Sequence, residues 1–485
     1  MSETVRISEL MAASGVAFGT SGARGTVAAM TDPVCYAYTR AFLQALAEGA
    51  VIRPGAEVLL SGDLRPSTGR ILAVVARAVQ DAGYRVTYTG RLPSPALAFH
   101  AMQRGAASIM ITGSHIPDDR NGIKFNRPDG EILKPDEARI REQTVVLPEP
   151  FPAIAQSALP DMDPAAGMAY LERYLDYFPR NSLKRLHVGV YEHSGVARDL
   201  LGSLLESLGA AVTRLARSDT FVPVDTEAIR AEDVQLGDQW AKEYGFDAIV
   251  STDGDADRPL IADEHGQWLR GDIVGVLCAH FLGIDTVVTP VSSNTVVEAC
   301  GWFKRVHRTR IGSPYVIEQM NRALTAGGSV AGYEANGGFL LASDISRDGA
   351  TLKALPTRDA VLPMLAILVA VAEQGKPVSA LVAALPPRFT ASDRLKNFPT
   401  EQSRARIQAL SGDVGAIEAA FGELCGKVKV TDTTDGLRIG FTNGEIVHLR
   451  PSGNAPELRC YNEAASPQRA QELNRACLDV LAAWR

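Results

Sequence analysis

Along most of the chain, short runs of apolar residues alternate with stretches whose apolar positions recur every three or four residues. That is the pattern of strands feeding amphipathic helices. Glu57-Val58-Leu59-Leu60-Ser61 reads as a strand, followed through Asp63 and Pro66 by a helix from Thr68 to Ala82. Ala107-Ser108-Ile109-Met110-Ile111 reads as another strand and ends in Thr112-Gly113-Ser114-His115. The plan recurs with a strand from His187 to Tyr191, a helix from Val196 to Leu208, and a strand from Asp247 to Val250 that runs into an acidic loop. A third cycle has strand Thr286-Val287-Val288, a helix cap at Ser293 or Asn294, a helix from Pro314 to Leu324, and strand Ser329-Val330-Ala331 ending at Glu334. Three successive regions thus each end a strand in an unusual polar loop. In open α/β sheets, ligands gather at the carboxyl ends of strands.

The last quarter changes character. Lys427 to Val430, Leu437 to Gly440, Ile446 to Leu449 and Leu458 to Tyr461 read as short strands joined by turns, covered by a helix from Pro467 to Trp484. Stretches with Pro and Gly near Leu147 to Pro164 and Gln374 to Pro387 predict linkers. The expected fold is therefore α/β, with domains at 1–150, 160–265 and 266–378 and an α+β domain at 388–485.

A chain of 485 residues is too long for one core, and roughly 150 residues per domain gives three or four. Its 46% apolar and 22% charged residues fit a soluble globular protein. A net charge of -7 argues against a nucleic-acid partner, although a few arginines can still build a local phosphate site. Met1-Ser2-Glu3-Thr4-Val5-Arg6 lacks the build of a signal peptide, and the longest apolar run, Val361 to Ala372, is too short to span a bilayer and contains Pro363. Cys35, Cys278, Cys300, Cys425, Cys460 and Cys477 are scattered, as buried thiols in a reducing compartment would be. A cytoplasmic protein without a membrane partner is expected.

The strongest local chemistry is Asp253-Gly254-Asp255-Ala256-Asp257-Arg258, where carboxylates at alternate positions can converge on one hard cation. Glu264 falls at the twelfth position from Asp253, but the sixth is Arg258 where an EF-hand needs Gly, and the flanks read as strands. Ser114, at a strand end, suits a nucleophile, a phosphate carrier or a plain turn. The neighbouring His115 hints at a Ser-His hydrolase, but the G-x-S-x-G elbow is missing and adjacent side chains in an extended segment point apart. Asn121-Gly122 predicts a turn, after which Ile123-Lys124-Phe125 resumes a strand that can bring Lys124 near Ser114. Phe18-Gly19-Thr20-Ser21-Gly22-Ala23-Arg24-Gly25 lets backbone donors and the Arg24 guanidinium approach an anion. The run from Arg450 through Ser452, Gly453 and Asn454 to Arg459 gathers the donors that a phosphate dianion wants. Gly332-Tyr333-Glu334-Ala335-Asn336-Gly337-Gly338 offers a carboxylate and an amide suited to vicinal sugar hydroxyls, or an ordinary turn.

Together and in this order, these loops resemble those of the α-D-phosphohexomutases, the family of phosphomannomutases, phosphoglucomutases and phosphoglucosamine mutases. The resemblance covers nearly the whole chain, and the acidic loop matches the family's D-G-D-x-D-R in full. It implies three related α/β domains around a central cleft plus the C-terminal α+β domain. It further implies that Ser114 is a phosphoserine, with Asp253, Asp255 and Asp257 holding Mg2+ together with the serine phosphate. Arg24, Lys124 and His115 would stand close to the transferring phosphoryl group. Arg258, Glu334 and Asn336 would face the sugar, while Arg450, Ser452, Gly453, Asn454 and Arg459 would grip its other phosphate.

The family usually reads T-A-S-H-N-P where this chain has Gly113 and Ile116, and G-E-x-S-G-H where it has Asn336 and Gly338; the second change removes a possible acid/base group. Asn454 stands where threonine is frequent, and Gly312 to Val316 occupies the family's other specificity loop. The implied reaction moves phosphate between O6 and O1 of a hexose through a hexose 1,6-bisphosphate, which also serves as activator and turns end over end while the last domain hinges. Mannose phosphates are the first choice of substrate, with phosphoglucosamine mutase and phosphoglucomutase as alternatives. From other classes come a metal-dependent phosphatase using an aspartate of the acidic loop and a non-catalytic phosphosugar-binding protein. Hexose phosphates are the expected partners, and the chain is expected to be a monomer or dimer.

Overall fold

The computed structural model describes residues 4–19, 22–155, 159–452 and 456–484. Among these residues the chain forms three α/β units built on one plan, followed by an α+β unit. In the first unit, strand Glu57–Gly62 leads through helix Thr68–Asp81 to strand Arg85–Tyr88, then through helix Ser94–Gln103 to strand Ala107–Ile111. The second repeats this with His187–Tyr191, Arg198–Ser207, Ala211–Leu215, Ala231–Tyr244 and Ala248–Thr252. The third uses Thr286–Pro290, Val296–Ala299, Arg305–Thr309, Ser313–Leu324 and Val330–Tyr333.

In every case the third strand lies parallel beside the first, with pairs Val58↔Ala107, Val188↔Ala248 and Thr286↔Val330. A polar loop then reverses the chain into an antiparallel return strand: Arg120–Arg127, Pro259–Ala262 or Phe339–Leu341. These third strands are buried along their whole length, which is why they read as continuous apolar runs. The loops after them are therefore topologically equivalent, and they hold Ser114, the three aspartates and Glu334.

Asn121-Gly122 forms no turn. Both residues lie inside strand Arg120–Arg127, paired with Gly25 and Arg24 of the neighbouring strand Gly22–Thr26. Glycine is needed there because a Cβ on Gly122 would come 2.9 Å from the carbonyl oxygens of Ala23 and Thr112. The helix capped near Asn294 is a single turn, with the Asn294 side chain accepting from the Val296 amide at 2.8 Å. The stretch from Gln374 to Pro387 carries the short helix Val378–Ala383.

One hydrophobic core runs through all three α/β units and includes Leu97, Tyr170, Val188, Val250, Leu277 and Leu365. Its centre is helix Val361–Gln374, apolar on nearly every face, which tolerates Pro363 because the first turn has no intrahelical donor to lose. The fourth unit has a separate core around Phe398, Ile439, Leu449 and Leu473. Its antiparallel sheet is ordered Phe389–Lys396, Glu457–Ala464, Ile446–Pro451, Leu437–Phe441, Val428–Asp432, with helices Thr400–Leu410, Val414–Cys425 and Pro467–Ala482 packed around it. Among the described residues, no helix is long and apolar enough to cross a membrane.

Candidate active site

Ser114 lies one turn beyond strand Ala107–Ile111 in a left-handed conformation, with φ at 57°. Such backbone is costly for a residue with a Cβ and persists only where its surroundings enforce it. Here the Ser114 amide donates to the Thr112 hydroxyl at 2.8 Å and the Gly113 amide to Asp63 at 3.3 Å. Arg65 wraps the outside of the loop. Its guanidinium donates to the carbonyls of Ser114 (2.8 Å), Ile116 (2.5 Å), Pro117 (2.7 Å) and Arg120 (3.1 Å). Asp63 anchors it at 2.9 Å, and it stacks 4.1 Å from the centre of the Phe221 ring. A Cβ on Gly113 would sit 2.6 Å from Arg65 Cζ, so the glycine at this position makes room for the arginine.

The acidic loop lies between strands Ala248–Thr252 and Pro259–Ala262, so its flanks are strands and the EF-hand reading falls away. Asp253, Asp255 and Asp257 are buried, and one oxygen of each lies within 4.8 Å of the others. This loop packs directly on the first. Ser114 Oγ donates to Asp253 Oδ2 at 2.6 Å, and a Cβ on Gly254 would approach the Ser114 carbonyl oxygen to 2.7 Å. Burial, together with the charges of Asp255 and Asp257, pushes the Asp253 carboxyl well above its ordinary range. Burial works the same way on Asp255, but Lys124 and Ser94 outweigh it and hold that carboxylate low. Lys124 Nζ bonds Asp255 and reaches Asp257 Oδ2 at 2.7 Å, and Ser94 Oγ donates to Asp255 at 2.7 Å. Asp255 Oδ1 and Asp257 Oδ1 are buried without a hydrogen-bond partner, which is the arrangement a cation would complete.

Arg24 stands on the strand beside that of Lys124, opposite Gly122. Burial, then the neighbouring charges of Arg258 and Arg358, lower its pKa to about 10, while Asp255 and Asp257 pull the other way. His115 does not point away from Ser114. The left-handed turn swings its Nδ1 to 3.3 Å from Ser114 Oγ. That nitrogen also accepts from Arg258 Nη1 at 2.7 Å, and burial plus the Arg258 and Arg24 charges keep the ring neutral. Arg258 further approaches Asp253 (3.8 Å) and Asp257 (3.6 Å).

Glu334, in the third loop, is buried, and its amide bonds the Gly338 carbonyl at 3.1 Å. The Asn336 side-chain oxygen accepts from the Gly338 amide at 3.0 Å and so is engaged within the loop. Arg358, on the later strand Leu355–Asp359, joins Glu334 Oε2 (3.3 Å) to Asp257 Oδ2 (3.0 Å). In the fourth unit, Arg450 and Arg459 face each other across adjacent strands, and the Ser452 amide donates to the Glu457 carbonyl at 2.8 Å. Arg450 pairs with Asp435 at 3.0 Å. Gly453 and Asn454 lie outside the described residues. Burial holds Glu227, in the second unit, above its ordinary range against the opposing charges of Arg270, Arg258 and Arg459, so arginines of three units act on one carboxylate.

Arg65 and Arg358 are absent from the residues singled out in the sequence. Asp63-Leu64-Arg65 at a strand end was the available signal for the first. An arginine inside a short strand gave none for the second.

Comparison with known families gives matches in the same order as the four units. The descriptions are phosphoglucomutase/phosphomannomutase alpha/beta/alpha domain I over residues 15–146, domain II over 168–266, domain III over 270–389, and the C-terminal domain over 390–480. The chain belongs to the phosphoglucomutase/phosphomannomutase family, within the α-D-phosphohexomutases, and is by that membership an isomerase, an intramolecular phosphotransferase. It is 45% identical over 474 residues to a phosphomannomutase of Sinorhizobium fredii, covering 96% of this chain and 99% of that one. A phosphomannomutase of Salmonella muenchen is 46% identical over 457 residues, with 94% of each chain covered. Among solved structures, a phosphoglucomutase/phosphomannomutase family protein from Burkholderia thailandensis has the same fold, with a TM-score of 0.71, 19% identity and 96% of each chain covered.

Proposed function

We propose that the protein interconverts mannose 6-phosphate and mannose 1-phosphate, with Ser114 carrying the phosphoryl group between turnovers. The observation that carries the assignment of Ser114 is its 2.6 Å hydrogen bond to the first of three convergent, buried aspartates. Mannose is favoured among hexoses by the two phosphomannomutases that match over almost the whole chain. Asp253, Asp255 and Asp257 would hold Mg2+, with the unpartnered oxygens of Asp255 and Asp257 available as ligands. Bound there, the cation would offset charge on the phosphoryl oxygens.

The chain's own residues supply the rest. Lys124, Arg24 and Arg258 surround the same point with fixed positive charge, which phosphoryl transfer requires. Neutral His115 accepts from Arg258 and so orients that guanidinium beside Ser114. Phosphorylated Ser114 gives its phosphoryl group to the free hydroxyl of the bound monophosphate, leaving a hexose 1,6-bisphosphate. After that intermediate turns over, its other phosphate returns to Ser114. Glu334 would bind sugar hydroxyls in either orientation, and Asn336, with its oxygen engaged, would shape the loop. Arg450, Ser452, Gly453, Asn454 and Arg459 would grip the phosphate not in transfer. The same bisphosphate would load a dephosphorylated enzyme. The phosphatase reading has less support, because the three aspartates converge on one another as a cation site, with the Ser114 hydroxyl set against them.

Incubation with a hexose 1,6-bisphosphate should add the mass of one phosphoryl group to the protein and none to Ser114→Ala. That variant should lose at least about a thousandfold in mutase rate. Full activity in Ser114→Ala would end the assignment.

A further inference from the structure

The space beside Gly338 is filled from another strand. A Cβ built on Gly338 would lie 2.7 Å from both Cγ and Cδ of Arg358 and 3.1 Å from its Cβ. Those atoms form the stem of the arginine, not its mobile tip, so they have little freedom to yield. The stem is held in place from behind: the next residue, Asp359, accepts hydrogen bonds from the buried hydroxyls of Tyr170 (2.7 Å) and Tyr174. From this fixed base the guanidinium, 2% exposed, reaches Glu334 with one nitrogen and Asp257 with another. Glu131 of the first unit adds its charge from nearby, accepting from Thr357 at 2.7 Å and from Ser313 at 2.8 Å. Carboxylates from all three α/β units thus act on Arg358. A forked guanidinium fixes direction as well as charge, which a single-point cation does not.

We infer that Arg358 is a positioning residue of the sugar site: its stem fills the space beside Gly338 from the strand paired with Phe339–Leu341, and its guanidinium aims the Glu334 carboxylate at the hexose hydroxyls and sets how tightly the sugar ring is held. The inference rests on the assignment of Glu334 to the sugar given above. Arg358 acts through Glu334, and its removal leaves a buried carboxylate free to turn toward other donors.

The test is direct binding of mannose 6-phosphate, followed by calorimetry with Mg2+ on the full chain in a Ser114→Ala background, where turnover plays no part. Arg358→Met and Glu334→Gln should each weaken binding about tenfold to a hundredfold, the range of a lost charge-assisted hydrogen bond. The double variant should bind no more weakly than the worse single one, because both changes remove the same interaction. Gly338→Ala should weaken binding when Arg358 is present and have no effect beside Arg358→Ala. Binding of inorganic phosphate, which has no sugar to position, should hold throughout. Should Arg358→Met fail to fold, Arg358→Lys carries the test, with a smaller loss because charge remains but the fork is gone. Unchanged sugar binding in the arginine variants, or losses that multiply in the double variant, would overturn the inference while leaving Glu334 on the sugar. No loss in Glu334→Gln would overturn both.

Discussion

Arg65 is bound to four backbone carbonyls of the loop that presents Ser114, and Gly113 lets it come that close. The same relation recurs at Gly338 and Arg358, so two departures from the family's usual motifs each coincide with an arginine lying where a Cβ would be. Gly113→Ala should push the Arg65 guanidinium aside and loosen Ser114. A displacement of about 1 Å at a reacting group costs on the order of a hundredfold, so kcat should fall by about that factor while KM changes little. Steady-state kinetics with a thermal melt to confirm folding checks this; an unchanged kcat would mean that the loop holds without Arg65. The sequence singled out Ser114, Asp253, Asp255, Asp257 and Glu334 because they sit in loops with polar residues in unusual density, and Lys124 because its strand returns beside Ser114. It did not identify the arginines that hold them. Their partners are carbonyls and carboxylates far along the chain, and local pattern carries no trace of such contacts.

At the scale of strands and helices, buried parallel strands announced themselves as apolar runs, and their boundaries lie within a few residues of those expected. What escaped notice was half-exposed. Strand Phe389–Lys396 alternates apolar, small and charged residues, and no residue within it is fully buried. Asn121-Gly122 looked like a turn because the dipeptide favours one, yet close neighbours on two sides decided for strand. Strand Ile446–Pro451 carries a further consequence in His448, buried with Nε2 donating to the Asp435 carbonyl at 2.7 Å and its ring stacked on Tyr461. Burial lowers its pKa to about 4, and the same holds for His193 beside the Thr252 carbonyl. In the unfolded chain each histidine takes up a proton below about pH 6.5, whereas the folded chain resists until near pH 4. Stability is therefore complete at neutral pH and drains away as pH falls through that window, by about 1.4 kcal/mol per unit for each group. Urea unfolding at pH 7 and pH 4.5 should show the loss, and His448→Gln should flatten part of it; an equal slope in that variant would assign the acid sensitivity elsewhere.

For the molecule as a whole, the division that matters lies between the three α/β units and the fourth. The first three share a continuous apolar interior, and buried ties such as Tyr170 to Asp359 cross between them. The fourth unit keeps its own core and meets the third through polar contacts: Asn294 to the Arg388 carbonyl and Thr390 (both 3.0 Å), and Glu463, itself paired with Arg388 (2.5 Å), to the Thr295 amide (3.0 Å). Calorimetry should accordingly resolve two transitions. Glu463→Gln, which leaves Arg388 without its counter-charge, should lower the smaller one and leave the larger in place; a single transition shifted as a unit would mean that the four units melt together. Repetition made the three-unit plan readable, because a pattern seen three times is hard to mistake, whereas the shared interior emerges only when helices distant in sequence meet. A chain divided in this way separates two tasks under different constraints. On the proposed function, the part that would break and make bonds is welded to its neighbours, while the part that would catch the far end of the ligand hangs from polar fasteners. Over generations, that outer piece is free to adapt its reach to a differently shaped sugar without any disturbance to the chemistry at the centre.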